Sequence, residues 1–254
     1  MRSYNLLKKK LRDGETVVGT WLTTPSSSVA NIIAAAGFDF LIIDMEHGPV
    51  SFKTAEDIVR ATELESSTPL LRVSENNPDL ILRGLEIGSH GIIIPQVESK
   101  VDAEEAVKSV KYYPLGNRGF SPFTRSAGYN SSRSSSLAED ENAETFVGLI
   151  LEGKQGIENF DTIVSVPNID LIYIGKYDLS QSLGIPGQVD HPKINKYLRI
   201  YTDKIREKGI SVGSIAQSKQ DVEEYQRIGI NFIAYKADCG ILDDACVLIR
   251  NMIT

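Results

Sequence analysis

The sequence predicts a single (β/α)8 TIM barrel over residues 1–254, and three observations lead to it. Eight strand-like stretches alternate with helix-like ones along nearly the whole chain. That count in 254 residues matches the usual size of such a barrel. An open doubly wound sheet, the competing architecture, normally carries a glycine-rich phosphate loop after its first strand. This chain reads TTPSSS there.

The elements follow in order. Val17 to Thr23 is the first strand, and the serines from Ser26 to Ser28 can cap a helix that Gly37 ends. FDFLIIDMEHGPV, from Phe38 to Val50, holds a second strand whose apolar run suits burial on both faces. A helix from Ser51 to about Glu65 comes next, then a strand from Pro69 to Val73 and a helix from Pro78 to Glu86. Gly91 to Pro95 is the fourth strand, followed by a helix from Val101 to about Lys111. Tyr113 to Glu144 reads as one long irregular segment carrying Arg118, Arg125 and Arg133, three candidates for receiving an anionic second substrate. The remaining strands are Thr145 to Leu151, Ile169 to Ile174, Ile210 to Gly213 and Asn231 to Tyr235. Helices fall at about Gln155 to Val164, Ile194 to Lys208, Lys219 to Ile228 and Asp243 to Met252.

Composition narrows the function classes. The chain is 41% hydrophobic and 24% charged, with a formal net charge of −7 spread along it. Nothing in that balance suggests a nucleic-acid or anionic-membrane partner. Cys239 and Cys246 are too few for a disulfide framework or a metal knuckle. The first residues are too polar for a secretion signal and no run reaches the ~18 apolar residues of a membrane span. A cytoplasmic protein is the expectation.

In a barrel the carboxyl ends of the strands converge on one mouth, and catalytic groups come from there. Those ends carry Trp21; then Asp44, Glu46 and His47; then Arg72, Gln96, Glu152, Lys176 with Asp178, and Lys236 with Asp238. Glu152 and Asp178 end adjacent strands and suit one hard divalent cation completed by water. His47 is a proton carrier near neutral pH, and Arg72 a grip for a carboxylate. Cation, arginine and proton carrier together suit enolate chemistry. Asp44 and Glu46 read as groups that orient His47 and the cation's waters. Blander readings stand beside these: salt bridges or caps for the carboxylates, core for Trp21, a polar turn around His47. His90 reads as structural, at the opposite end of the barrel. Lys176 and Lys236 are rival Schiff-base candidates, with Lys176 expected outside the buried strand. A non-catalytic small-molecule-binding barrel is the remaining alternative.

Several stretches resemble the HpcH/HpaI aldolase/citrate lyase family. They are IIDMEHGP, GTW at Gly19 to Trp21, LLRV at Leu70 to Val73, LEIGSHGIIIPQVES at Leu85 to Ser99, YPLGNRG at Tyr113 to Gly119, ILEGKQGIEN at Ile150 to Asn159, and IGKYDLSQSLGIPG at Ile174 to Gly187. They keep the family's order from about Leu6 to Asp238. The resemblance implies a phosphoenolpyruvate/pyruvate-type barrel and a metal-dependent aldolase that yields pyruvate and an aldehyde from an oxo acid. It also implies Mg, Mn or Co as cofactor, held by Glu152 and Asp178. His47 would then move protons through metal-bound water, and Arg72 would bind the pyruvate carboxylate and enolate oxygen. Trp21 would line the pocket, and the backbone at Tyr177 and Asp178 would help hold the carboxylate. Glu86 stands where the family pairs an aspartate with its histidine. Because it precedes the fourth strand, it reaches an active site only from a neighbouring subunit. That fits the family's homohexamers, trimers of dimers exchanging the last helix. Three positions depart from the pattern: Ile150 replaces a polar residue, Lys176 follows Gly175 where proline is usual, and Glu86 lengthens an aspartate. They imply retuned substrate choice, or another carbon–carbon bond-forming reaction such as a citrate-synthase-like one.

Overall fold

A computed structural model describes residues 4–132 and 134–253. Its strands are β1 (Val17–Leu22), β2 (Phe40–Asp44), β3 (Thr68–Arg72), β4 (Gly91–Ile94), β5 (Phe146–Leu151), β6 (Leu171–Ile174), β7 (Ser211–Ala216) and β8 (Phe232–Ala237). Each lies parallel to its chain neighbour and β8 pairs with β1, so the sheet closes into a barrel in sequence order. This is the (β/α)8 architecture expected. Helix α1 (Leu6–Arg12) precedes the first strand. Then come α2 (Ser27–Ala35), α3 (Phe52–Glu63), α4 (Pro78–Glu86), α5 (Lys100–Val110), α6 (Ser134–Glu144), α7 (Lys154–Glu158) and α8 (Phe160–Ile163). The last are α9 (Lys176–Ser182), α10 (Pro192–Arg206), α11 (Lys219–Ile228) and α12 (Asp238–Asn251).

Strand side chains alternate between two buried layers, because successive Cβ atoms point to opposite faces. Phe40, Ile42, Leu70, Ile93, Phe146, Ile150, Leu171, Tyr173, Phe232 and Ala234 form the interior cluster. Their neighbours, among them Leu41, Ile43, Leu71, Ile92, Leu149, Ile172 and Ile233, pack against the helices. The interior is filled by large side chains set against small ones. Phe40 and Phe232 stack with ring centroids 3.9 Å apart. Gly19 makes room for them, since a Cβ there would stand 2.4 Å from the Phe40 ring. Leu7 and Leu11 of α1 join the same cluster and close the amino-terminal end.

Helix starts follow the serine signals. Ser26, Ser51, Ser99 and Ser218 each accept the backbone N–H three residues on. Several expectations need correction, among them the last helix, which begins at Asp238 rather than Asp243. The segment predicted irregular to Glu144 contains α6, whose SSSLAEDENAE sequence has no apolar stripe to announce a helix. Strands β7 and β8 also run past their expected ends, to Ala216 and Ala237.

Two of the loop arginines are engaged in ion pairs within the chain. Arg118 is buried, ion-paired to Glu141 at 3.3 Å and stacked 4.5 Å over Tyr112. Arg125 pairs with Glu63, which also meets His90 Nε2 at 2.8 Å. Arg133 lies outside the described residues. Burial pushes the Glu63 carboxyl up, but the His90 and Arg125 hydrogen bonds outweigh it and hold the group at about 2. A carboxyl held below its unfolded value of about 4.3 stabilises the fold above that value and ceases to do so as pH falls through about 2. Glu63→Gln is therefore expected to lower Tm by about 2–4 °C at pH 7, the gap to wild type closing towards pH 2. A gap unchanged between pH 7 and pH 3 would refute the coupling.

Candidate active site

The strand alternation that fills the barrel also delivers its polar groups. Along β2, Phe40 and Ile42 point inward and Asp44 is next in phase; along β3, Leu70 is followed in phase by Arg72. Beyond β5 the same phase gives Ile150 and then Glu152, and along β6 Leu171, Tyr173 and Gly175. These groups meet one layer above the apolar interior. Trp21, His47, Arg72, Glu152, Tyr177 and Asp178, six of the expected site residues, line one cavity of about 260 Å³. A wider hollow of about 580 Å³ adjoins it, sharing His47, Glu152 and Asp178 and adding Glu46, Gln96 and Glu98. Two other hollows, of about 660 and 770 Å³, lie elsewhere and contain none of these residues.

Arg72 anchors the inner cavity. Its Nε and Nη2 donate to the two oxygens of Asp44 at 2.9 and 2.5 Å, and Nη1 lies 2.9 Å from Glu46 Oε2. Its guanidinium lies 4.4 Å over the Trp21 ring. A guanidinium carries five N–H groups, so two remain for a ligand. Asp44 also accepts the backbone N–H groups of Glu46 and His47 at 3.0 and 3.1 Å. Asp44 and Glu46 thus hold Arg72, and Asp44 also shapes the turn bearing His47. Among the described residues neither carboxylate makes a hydrogen bond or ion pair with the His47 ring. His47 itself is exposed at the junction of the two hollows.

Glu152 is the most perturbed carboxylate of the site. It is 9% exposed, and one oxygen accepts the Gln96 N–H at 2.9 Å. Burial, then the charges of Asp178 and Glu46, push its carboxyl up to about 7 against the pull of Gln96 and Arg72. Gln96 adopts a left-handed φ of +55° and donates from Nε2 to Glu46 at 3.2 Å. Strained backbone of this kind concentrates at functional sites, and here it ties two carboxylates together. Gly175 leaves the other Glu152 oxygen open, since a Cβ there would lie 3.2 Å from Oε2. Asp178, in the first turn of α9, is exposed.

The donor set fits a hard divalent cation: oxygens only, with buried carboxylate charge short of a counter-ion. Among the described residues no group of three or more His, Cys, Asp and Glu is arranged to hold a metal. A cation here would thus take most of its ligands from water or substrate.

Lys176 borders the cavity and Lys236 does not, but the amines of both rival lysines are engaged elsewhere. Lys176 is fully buried, not outside the core as expected. It falls on the outward phase of β6, with its amine 5.5 Å from the Tyr225 ring and 3.6 Å from Asp190. Lys236 would face inward, but β8 carries an extra residue: Gly19 pairs with Ala234, yet Trp21 pairs with Ala237. With a φ of +53°, Lys236 pairs with Asp244, which holds its amine protonated, while Ala237 lines the cavity. Asp238, expected at the mouth, binds Thr23 N–H and Oγ1 at 2.9 and 2.8 Å and Thr24 N–H at 3.0 Å, fixing the loop after β1.

Glu86 ends α4, at the amino-terminal side of the barrel next to β4, and does not join the cavity within this chain. Tyr173 was missed by sequence reasoning. Its ring belongs to the interior cluster and its hydroxyl accepts Trp21 Nε1–H at 3.0 Å. In LIYIG it reads as core, and only the phase shared with Gly175 marks it as facing the site.

The family model described as HpcH/HpaI aldolase/citrate lyase matches residues 18–245. A hydroxypyruvate/pyruvate aldolase of Roseobacter denitrificans is 32% identical over 94% of this chain and 93% of its own. A 2-keto-3-deoxy-L-rhamnonate aldolase of Klebsiella pneumoniae is 33% identical over 95% of this chain and 90% of its own. The crystal structure of an HpcH/HpaI aldolase/citrate lyase family protein from Burkholderia cenocepacia superposes with a TM-score of 0.92. That pair shares 30% identity and covers 98% of this chain and 99% of the other.

Proposed function

The chain belongs to the HpcH/HpaI aldolase/citrate lyase family, and we propose that it is a divalent-metal-dependent aldolase. It reversibly cleaves a 4-hydroxy-2-oxo acid to pyruvate and an aldehyde. The observation that carries this reading is the inner cavity, where buried Glu152 shares one wall with Asp178 and Arg72 keeps two N–H groups for a ligand. The relatives named as aldolases of oxo acids support the same substrate class.

Each residue has a role in that reading. Glu152 and Asp178 hold Mg, Mn or Co; bound there, the cation supplies positive charge to the developing enolate oxygen. Arg72 grips the oxo acid's carboxylate and enolate oxygen through its free N–H groups. Trp21 forms the wall beneath, and the backbone at Tyr177 and Asp178 receives a carboxylate oxygen. In cleavage the C4 hydroxyl loses its proton, the C3–C4 bond breaks, and its electron pair passes into the enolate; a proton then returns to C3. His47, exposed at the junction of the hollows, carries these protons. A homo-oligomer, a hexamer built as a trimer of dimers, completes the site by bringing Glu86 of a neighbouring copy to His47. Exposed Leu242, Val247, Leu248, Ile249 and Met252 on and just beyond α12 offer an apolar face for that assembly. No helix of the described residues is long and apolar enough to cross a membrane.

The test is a panel of aldehydes offered with pyruvate, with and without exhaustive chelation, on protein whose mass is measured by sedimentation. Metal-restored aldol formation by an oligomer is expected. Activity that survives chelation, or a monomer with full activity, overturns the corresponding part, and condensation of oxaloacetate with an acyl thioester instead would replace the aldolase reading.

A further inference from the structure

The floor of the inner cavity holds a hydroxyl with its proton uncommitted. Tyr173 is 3% exposed, and its oxygen accepts the Trp21 indole N–H at 3.0 Å. Among the described residues the Tyr173 O–H donates no hydrogen bond. Of the cavity lining, Ile150, Ile215 and Ala237 have no side-chain acceptor to offer, and Asp44 and Glu152 accept from Arg72 and Gln96 instead. Ile150 is Tyr173's own partner in the β5–β6 register. A buried donor without an acceptor is costly, and a ligand oxygen is the natural partner for one that faces a cavity.

The indole of Trp21 relates the hydroxyl to Arg72. Arg72 lies 4.4 Å over the Trp21 ring, and the Tyr173 ring meets it edge-on at 5.4 Å. Arg72 and the Tyr173 hydroxyl therefore border one indole and line the same cavity. Burial also pushes the Tyr173 hydroxyl up, so it stays a neutral donor at any working pH.

We propose that Tyr173 is a substrate-binding residue whose hydroxyl donates to an oxygen of the oxo acid at the end that Arg72 grips. The assignment rests on the aldolase reading above. It makes the inner cavity a three-donor cradle for an α-oxo carboxylate, with Trp21 setting the direction of the third donor.

Pyruvate binding, followed by titration calorimetry at saturating Mn²⁺, tests it. Tyr173→Phe keeps the ring and removes only the hydroxyl. The expected result is a roughly 10- to 100-fold rise in the Kd for pyruvate, with Mn²⁺ affinity and the cooperative thermal transition retained. Because the same change leaves the indole N–H without an acceptor, the measurement is repeated in a Trp21→Phe background. A hydroxyl that touches substrate still weakens binding when removed there. An effect seen only when Trp21 is present overturns the assignment, as does unchanged affinity in both backgrounds. Wild-type protein that binds no pyruvate overturns the aldolase reading and this assignment together, whereas wild-type binding with no loss in the variants overturns the assignment alone.

Discussion

Glu152→Ala is expected to reduce metal-dependent aldol turnover by at least about 10³-fold, beyond rescue by added Mg²⁺ or Mn²⁺ at millimolar concentration. The reason is electrostatic. Glu152 is a buried carboxylate whose acidic neighbours Asp178 and Glu46 add to the effect of burial and push its carboxyl up to about 7. Nothing in the folded chain gains from that repulsion, and a divalent cation would relieve it. Stabilities sharpen the test. If Glu152 were merely a salt-bridge partner, its loss would lower the Tm of metal-stripped protein. As a ligand under mutual repulsion, its replacement by Gln leaves the stripped Tm unchanged or higher, while the Tm increment on adding Mn²⁺ disappears. Wild-type turnover in Glu152→Ala, or an undiminished Mn²⁺ increment in Glu152→Gln, would refute the ligand role.

Arg72→Ala has the second large effect, and it should strike activity and stability together. Asp44 is 2% exposed and holds both Arg72 nitrogens, so removing the guanidinium leaves a buried carboxylate without its counter-charge. A cost of ~3–5 kcal/mol in unfolding free energy follows, alongside a fall of about 10³-fold in kcat/KM for the oxo acid. Neutralising Asp44 in the same chain separates the two. Asp44→Asn added to Arg72→Ala should recover a good part of the stability and none of the activity, because only the buried charge is relieved. Urea unfolding of the two single variants and the double variant measures this. Strictly additive losses would show that the Asp44–Arg72 pair is not the reason for the instability.

The barrel was legible because its signal is local. Each strand announces itself by an apolar run, six helices by a capping serine or asparagine, and the alternation of strand and helix selects the architecture. The period of two then carries the reading further. Asp44, Arg72 and Glu152 can be placed on the inner face by counting back to Phe40, Leu70 and Ile150. Helix α6 escaped because its burial rests on Leu137 and Glu141 rather than on a stripe.

Partner choice was not legible, since it is settled across the barrel by residues far apart in the chain. Asp44 looked like an aid to His47, yet the five-residue register of β2 against β3 puts it opposite Arg72. Lys236 had the right phase for an active-site amine, and one extra residue in β8 displaced it toward Asp244. Tyr173 carries no functional signal in LIYIG, and only the Trp21 indole N–H across the barrel makes its hydroxyl an acceptor with a free proton. Sequence periodicity reports which face a residue is on, because that depends only on backbone geometry within one strand. Which charges neutralise each other, and which donors stay open for a ligand, depends on three-dimensional distances that only barrel closure creates.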